Sequence, residues 1–345
     1  MGGKASLKIV SLVTIAICTI TIIADFISML HRPKSLNGAT GSVTTKVPRS
    51  SIAKLSMLYG EPNPLYERAL AAHLPHNKNF GYNMYVLREK TLPGYWSKPA
   101  FILDQLLAEL ALPAEERLKW LVWFDGDTVL MNPKIPLEIF LPPEDKWGHI
   151  HALVTNDHRG LNNGVFFLRV HEWSVWLMTA TLGLEIYEPG IELEFGDQSA
   201  MGIWVLDERF RPNITHVPQR WFNAYAGNRG ETNGLFADPF APQSKFHANS
   251  IKEGDLLVHH AGHKSLRAQR MAPWMDVAEM HLPQWELELE ETTYQQEITE
   301  FWQTEAPEER KRVDKMIAQE EKKKAAKERA AKEKEEQKKG AAEGK

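Results

Sequence analysis

Short apolar runs alternate along the chain with longer stretches whose apolar residues recur every three or four positions. IAKLSMLY (52–59) and NMYVLRE (83–89) read as strands. PLYERALAAHL (64–74) and KPAFILDQLLAELAL (98–112) carry helical spacing; Asn63 is placed to cap the first, with Pro64 in its first turn, and Pro113 stops the second. WLVWF (120–124) has no polar position, the pattern of a strand buried on both faces. This βαβαβ order predicts an α/β domain with a mostly parallel central sheet and right-handed crossovers. Further strands are predicted at 151–156, 164–170 and 255–260, and helices at 173–184 and 284–304.

The two ends break this pattern. Residues 9–24 carry no charge, and the apolar span 9–30, interrupted only by Asp25, is long enough to cross a bilayer. Lys4 and Lys8 precede it and Arg32 and Lys34 follow it, so the charge asymmetry is weak. The run is long for a cleaved signal and no A-x-A site follows, which favours an uncleaved anchor. The expected organisation is a cytoplasmic N-terminus (1–8), a signal-anchor transmembrane helix (9–30), a stem rich in Ser, Thr, Gly and Lys (31–50), a catalytic domain (51–305) and a charged helical or disordered tail (306–345). The expected topology is single-pass type II, with the bulk of the chain luminal. The sequon Asn213-Ile214-Thr215 fits that side of the membrane.

A net charge of −4 with 25% charged residues gives no basic bias, so nucleic acid is not expected as a partner. Cys18 is the only cysteine, which excludes an internal disulfide and a thiolate zinc cluster. Eleven tryptophans suit sugar faces, but most are expected in the core.

The chemistry is expected where the 120–124 strand ends in Asp125-Gly126-Asp127. Ligands of open α/β sheets bind beyond the carboxyl ends of the strands, and two hard oxygen donors there can hold a divalent cation against a diphosphate. The plain alternative is a turn whose Asp side chains cap backbone N–H groups. A third ligand is available where a later strand ends in His259-His260-Ala261-Gly262-His263-Lys264. His259 and His260 point to opposite faces, so one can look into a site while the other packs. Asp, Asp and His suit Mn2+, with Mg2+ as the second choice, better than Ca2+. Lys264 could add positive charge for a diphosphate. A haloacid-dehalogenase-type phosphatase also opens on D-x-D-x-[TV], although there the motif begins the domain.

The ordered set Trp96-Ser97-Lys98, Trp123-Phe124-Asp125-Gly126-Asp127, Leu161-Asn162-Asn163-Gly164, Trp173-Ser174, Gly196-Asp197-Gln198-Ser199-Ala200 and Gly254-Asp255 through His259-x-Ala261-Gly262 resembles glycosyltransferase family 34. That family holds the fungal α-galactosyltransferases and α-1,6-mannosyltransferases and the plant xyloglucan xylosyltransferases. The resemblance implies a GT-A (Rossmann-like) fold, a nucleotide-diphosphate sugar donor, Mn2+, a glycan acceptor and retention of the anomeric configuration. It makes Asp125, Asp127 and His259 the metal ligands. Lys98, Gly126, Asn162, Asn163, Gly164, Gly262 and Lys264 join the donor-binding set, and Asp197 and Gln198 lie beside the reacting carbon. It also implies glycosyltransferase complex partners; the alternative role is a non-catalytic or assisting subunit of a Golgi mannosyltransferase complex. Two departures stand out: Gly196 replaces the first Asp of the family's Asp-Asp-Gln, which bears on acceptor recognition, and His263 replaces a frequent Cys. Trp221, Asn223 and Tyr225 could line an acceptor groove or form a structural corner.

Overall fold

A computed structural model describes residues 50–227, 239–240, 249–262 and 264–311, with isolated tail positions up to 322. The expected anchor at 9–30 and nearly all of the stem lie outside the described residues. Among the described residues no helix is long and apolar enough to cross a membrane.

Six strands form the main sheet in the order β2-β1-β3-β6-β5-β7. They are β1 (Ile52–Met57), β2 (Asn83–Leu87), β3 (Trp120–Phe124), β5 (Ala152–Asp157), β6 (Gly160–Arg169) and β7 (Ile214–His216). A smaller sheet has the order β4-β9-β8, from β4 (Thr128–Leu130), β8 (Ala224–Tyr225) and β9 (Leu257–His259). The helices are α1 (Pro64–Ala71), α2 (His73–Phe80), α3 (Ser97–Leu110), α4 (Glu144–Trp147), α5 (Glu172–Tyr187), α6 (Asp197–Leu206), α7 (Arg267–Glu279) and α8 (Tyr294–Glu300).

The sheet is mixed. β1 runs parallel to β2 and β3, as the βαβαβ order requires, and β5 runs parallel to β7. β6, however, runs antiparallel to both β3 and β5. Its link to β5 is a tight turn at Asp157–Gly160 rather than a crossover helix, with Gly160 at φ 106. A hairpin can only join antiparallel strands. The same hairpin lengthens β6 beyond the predicted 164–170.

Other differences have local causes. The predicted helix 64–74 divides into α1 and α2 at Ala72, with Asn63 Oδ1 accepting from Leu65 N at 3.1 Å as predicted. The predicted 284–304 helix begins only at Tyr294, because Glu288 and Glu291 form a reciprocal cap around a single 3-10 turn. β9 is shorter than 255–260 because Asp255 leaves the ladder to accept from Lys252 N at 2.8 Å and to pair with Arg220.

Each face of the main sheet is buried. Ile52, Trp120, Val122, Phe124 and Phe167 pack under Phe140, Trp221, Tyr294 and Phe301. Leu55, Leu121, Trp123 and Phe166 pack beneath Phe101 and Ile102 of α3, Leu177 of α5 and Met201 of α6. The β4-β9-β8 sheet rests on Met271, Trp274 and Met275 of α7. Fully burying each large side chain stabilises the fold by about 1.5–3 kcal/mol, so β1 and β3 are held firmly enough to carry charged groups at their ends.

Candidate active site

The ends of β1, β3 and β9 and the β5–β6 hairpin surround one cleft with a volume of about 610 Å³. Asp125 enters it directly from β3, its N–H donating to Gly164 O at 2.8 Å. Its Oδ1 accepts from Trp123 Nε1 at 2.6 Å and from Lys98 Nζ at 3.0 Å, leaving the second oxygen toward the cleft. Trp123 can do this because it stands two residues earlier on the same strand face.

A turn closed by Thr128 N to Asp125 O (3.1 Å) leads into β4. β4 pairs antiparallel with β9 so that Thr128 stands opposite His259, and His260 N donates to Asp127 O at 2.9 Å. This register sets His259 Nε2 at 3.4 Å from Asp127 Oδ1. One ligand atom from each of Asp125, Asp127 and His259 falls within 4.8 Å of the others. The Asp side chains therefore converge on an imidazole instead of merely capping their own turn.

The imidazole is oriented from behind. Asn223 Nδ2 donates to Thr155 Oγ1 at 2.7 Å and Asn162 Oδ1 at 3.1 Å, so its own Oδ1 faces His259 Nδ1 at 2.7 Å as an acceptor. A proton therefore sits on Nδ1, and Nε2 is the nitrogen that faces the cluster. Orienting contacts of this kind fix metal-binding histidines. Gly164 makes room for the ring: a Cβ there would lie 2.1 Å from His259 Cε1. His260 takes the other face, as predicted; it is buried 6.3 Å from the Trp274 ring, and burial pushes its imidazole down to about 3.

Arg267, in the first turn of α7, places Nε 2.9 Å from Asp127 Oδ2. Burial pushes the Asp127 carboxyl up, but a protonated His259 and then Arg267 outweigh it and hold the group at about 2; a cation that displaces the Nε2 proton would take over the role of that proton. Two carboxylates and an imidazole nitrogen form a mixed oxygen and nitrogen donor set, which fits a divalent cation such as Mn2+.

Behind this cluster lies a buried polar layer. Lys98, 4% exposed, donates to Asn163 O at 2.6 Å and Asn163 Oδ1 at 3.1 Å, and stands 3.8 Å from Asp197 Oδ2. Asn163 Nδ2 donates to Asp197 Oδ2 at 2.8 Å, and Asn163 N to Gln198 Oε1 at 3.3 Å. Burial raises the Asp197 carboxyl despite the nearby Lys98. Asn162 Oδ1 accepts from Gly164 N at 2.9 Å, while its Nδ2 donates to Tyr225 Oη at 2.6 Å. Gly126 and Gly262 line the cleft, Gly262 at φ 78. The side chain of Lys264 and the whole of His263 lie outside the described residues.

The three residues left open between an acceptor groove and a structural corner separate in the structure. Trp221 is core, with no exposure, and lines no groove. Asn223 is buried behind His259 and Tyr225 lines the cleft. Arg267 and Asp157 carried no local signal, since each reaches the cleft only through the packing of α7 or the β5–β6 turn.

Comparison with known proteins adds to this geometry. The profile of the galactosyl transferase GMA12/MNN10 family matches residues 143–269, a stretch holding Asn162–Gly164, Asp197, Gln198 and His259 but not the Asp125–Asp127 pair. "Probable alpha-1,2-galactosyltransferase gmh1" of Schizosaccharomyces pombe is 23% identical over 217 residues, taking in 54% of this chain; the chain spans 58% of the length of that relative. Among solved structures, a glycosyltransferase involved in the glycosylation of the major capsid of PBCV-1 matches with TM-score 0.48 at 16% identity, over 65% of this chain and 100% of that one. The galactosyltransferase LgtC, in complex with donor and acceptor sugar analogs, matches with TM-score 0.40 at 10% identity, over 66% and 95%. Residues 143–269 are thus similar to the galactosyl transferase GMA12/MNN10 family, glycosyltransferase family 34.

Proposed function

We propose that this protein is a retaining, metal-dependent glycosyltransferase of the GT-A fold. It moves a hexose, galactose or mannose, from a nucleotide-diphosphate sugar to a hydroxyl of a glycan acceptor. The observation that carries this reading is the meeting of Asp125, Asp127 and His259 in the cleft that also holds Asn162–Gly164 and Asp197–Gln198. The similarity of residues 143–269 to a galactosyl transferase family favours this reading over the phosphatase one. The apolar span at 9–30 supports a type II Golgi anchor with the cleft on the luminal side.

Cleaving a glycosyl–phosphate bond builds negative charge on the diphosphate and positive charge on the sugar carbon. A bound Mn2+ supplies Lewis-acid charge toward the diphosphate. The chain's own contribution begins with Arg267, whose guanidinium lines the cleft beside Asp127 and adds fixed charge on the same side. Lys98, the donor-side lysine that the resemblance implies, lines the cleft from below. Buried between Asp125 and Asp197, it keeps both carboxylates in place. Asn163 orients Asp197 and Gln198, which stabilise the cationic sugar. We favour acceptor entry on the face the diphosphate leaves, with a phosphate oxygen taking the acceptor proton, because Asp197 is held by Asn163 rather than free to attack.

Two experiments test this. UDP-galactose or GDP-mannose should raise the melting temperature in the presence of Mn2+ and much less without it, with UDP-xylose as the third arm; no shift with any donor would defeat the donor reading and favour the assisting-subunit alternative. A glycosyl–Asp197 adduct trapped in mass spectrometry would overturn same-face attack.

A further inference from the structure

The deep end of the cleft serves the cation and the donor, but its outer wall has no role in that account. Tyr95, three residues before Lys98, is 49% exposed and lines the same cleft as Asp197 and Gln198. Its ring lies against Gly196. A Cβ at Gly196 would stand 2.3 Å from Tyr95 Cδ2, 2.8 Å from Cγ and 2.9 Å from Cβ. Gly196 also adopts φ 55 and ψ −119, a backbone state open to glycine and strained for other residues. The departure at position 196 therefore does two things together: it removes a carboxylate and it admits an aromatic ring.

Across the cleft, the Arg159 guanidinium sits 5.3 Å over the Phe195 ring, with Nη1 3.7 Å from Glu194. This ties the β5–β6 turn to the loop that carries Gly196. From the same turn comes Asp157, whose Oδ2 accepts from Tyr225 Oη at 2.5 Å and whose Oδ1 accepts from Arg159 N at 2.7 Å. The wall thus presents an exposed aromatic ring and an oriented carboxylate on one opening.

We propose that Tyr95, backed by Gly196, is the platform of an acceptor subsite that takes the apolar face of a neutral pyranose, with Asp157 accepting hydrogen bonds from its hydroxyls. A pyranose has one face of C–H groups and a rim of hydroxyls. The negative face of an aromatic ring attracts the first, and a fixed carboxylate oxygen accepts from the second. An open-chain polyol offers the hydroxyls without the face. The inference deepens the transferase reading, on which the label of acceptor rests.

The test uses full-length protein in detergent with UDP and Mn2+. Saturation-transfer NMR is recorded with methyl α-D-mannopyranoside, methyl α-D-galactopyranoside and mannitol. At least one glycoside should receive saturation at its ring C–H protons, and mannitol should not. Tyr95→Ala should weaken that binding roughly five- to tenfold, and Tyr95→Trp should retain it. The thermal shift caused by UDP and Mn2+ should be the same in all three proteins, which also shows that the variants fold. Glycoside binding indifferent to Tyr95→Ala, or absent from the wild type, overturns the subsite. If UDP and Mn2+ give no shift while glycoside binding still depends on Tyr95, the donor reading falls and the saccharide subsite stands.

Discussion

Two lysines lie buried on opposite faces of the same pair of strands, and their surroundings differ in sign. In the β1–β3 register, Lys54 stands beside Val122 and Leu55 beside Trp123. On the Val122 face, Lys54 Nζ lies 2.7 Å from His76 Nδ1 and 3.3 Å from His73 Nδ1, with no ion pair among the described residues. On the Trp123 face, Lys98 has Asp125 at 3.0 Å and Asp197 at 3.8 Å. Burial holds the Lys54 amine well below its ordinary range, and burial followed by Lys54 does the same to both imidazoles. That cluster is neutral: His76 Nε2 faces Ile135 O at 2.8 Å as donor, so its Nδ1 accepts from the amine. An unpaired buried charge is discharged, whereas a paired one is kept. Burial of ionisable groups alone therefore does not mark a site here. Paired carboxylates that open onto a cleft do.

The largest break in the comparison is at Asp127. Asp127→Asn keeps the shape but removes the charge that His259 and Arg267 face, and transfer should fall by roughly 10²–10³-fold or more. Chelation of the wild type by EDTA should reproduce the loss, while circular dichroism stays unchanged. Turnover like that of the wild type would end the metal assignment.

Next come the lysines themselves. Lys98→Met leaves the buried Asp197 and the half-buried Asp125 without their shared cation, and breaking a buried pair costs about 3–5 kcal/mol. Lys54→Met removes a neutral amine and leaves two imidazole acceptors unpaired, a cost of about 1–3 kcal/mol that relief of lysine desolvation offsets in part. Urea unfolding at pH 7.5 should rank Lys98→Met as the less stable protein. The reverse order would show that the two clusters do not differ in charge.

The same contrast explains what was legible beforehand. Asp125 and Asp127 were visible because an all-apolar strand must end where it meets polar chemistry, and β3 spans the predicted 120–124. The third ligand was readable as a candidate from its motif, but its place depends on Thr128 facing His259 in a ladder whose register no local pattern fixes. Lys98 was foreseen as a donor-side residue. Its actual contacts required knowing that α3 delivers it between two carboxylates. The parallel strands followed from the βαβ order, whereas β6 reversed direction because four residues at Asp157–Gly160 sufficed for a turn. Asn223, Arg267 and the Tyr95–Gly196 contact come from pairings between distant segments, which leave no periodic trace in a single chain.

A smaller effect is expected behind the imidazole. Asn223→Ala deletes the acceptor for His259 Nδ1, so the ring is free to change tautomer and turn. Loss of such an orienting contact typically costs 10- to 100-fold in metal affinity. Titration with Mn2+, followed by isothermal calorimetry, should show that weakening with little change in folding. Unaltered affinity would mean that Gly164 and the β9 backbone position the ring unaided.

The smallest effect concerns the base-only cluster and has a definite sign. His73 and His76 are held below the ordinary value of 6.5 by burial first and by Lys54 second. Above pH 6.5 both the folded and the unfolded chain carry them neutral, and their contribution to stability is complete. Below it the unfolded chain binds protons that the folded chain refuses, so stability falls as pH drops toward the folded values. His216, pushed by burial to about 4, adds to the same decline between about 6.5 and 4. Lys54 adds to the decline in its own right, because the unfolded chain protonates that amine throughout this range while burial keeps it neutral in the fold; Lys54→Met removes that uptake, so its acid loss should be shallower than that of the wild type. Urea midpoints between pH 8 and 4.5 measure both slopes. Parallel slopes between pH 8 and 6.5, where the two imidazoles do not titrate, would show that the folded chain keeps the Lys54 proton and that the cluster is charged.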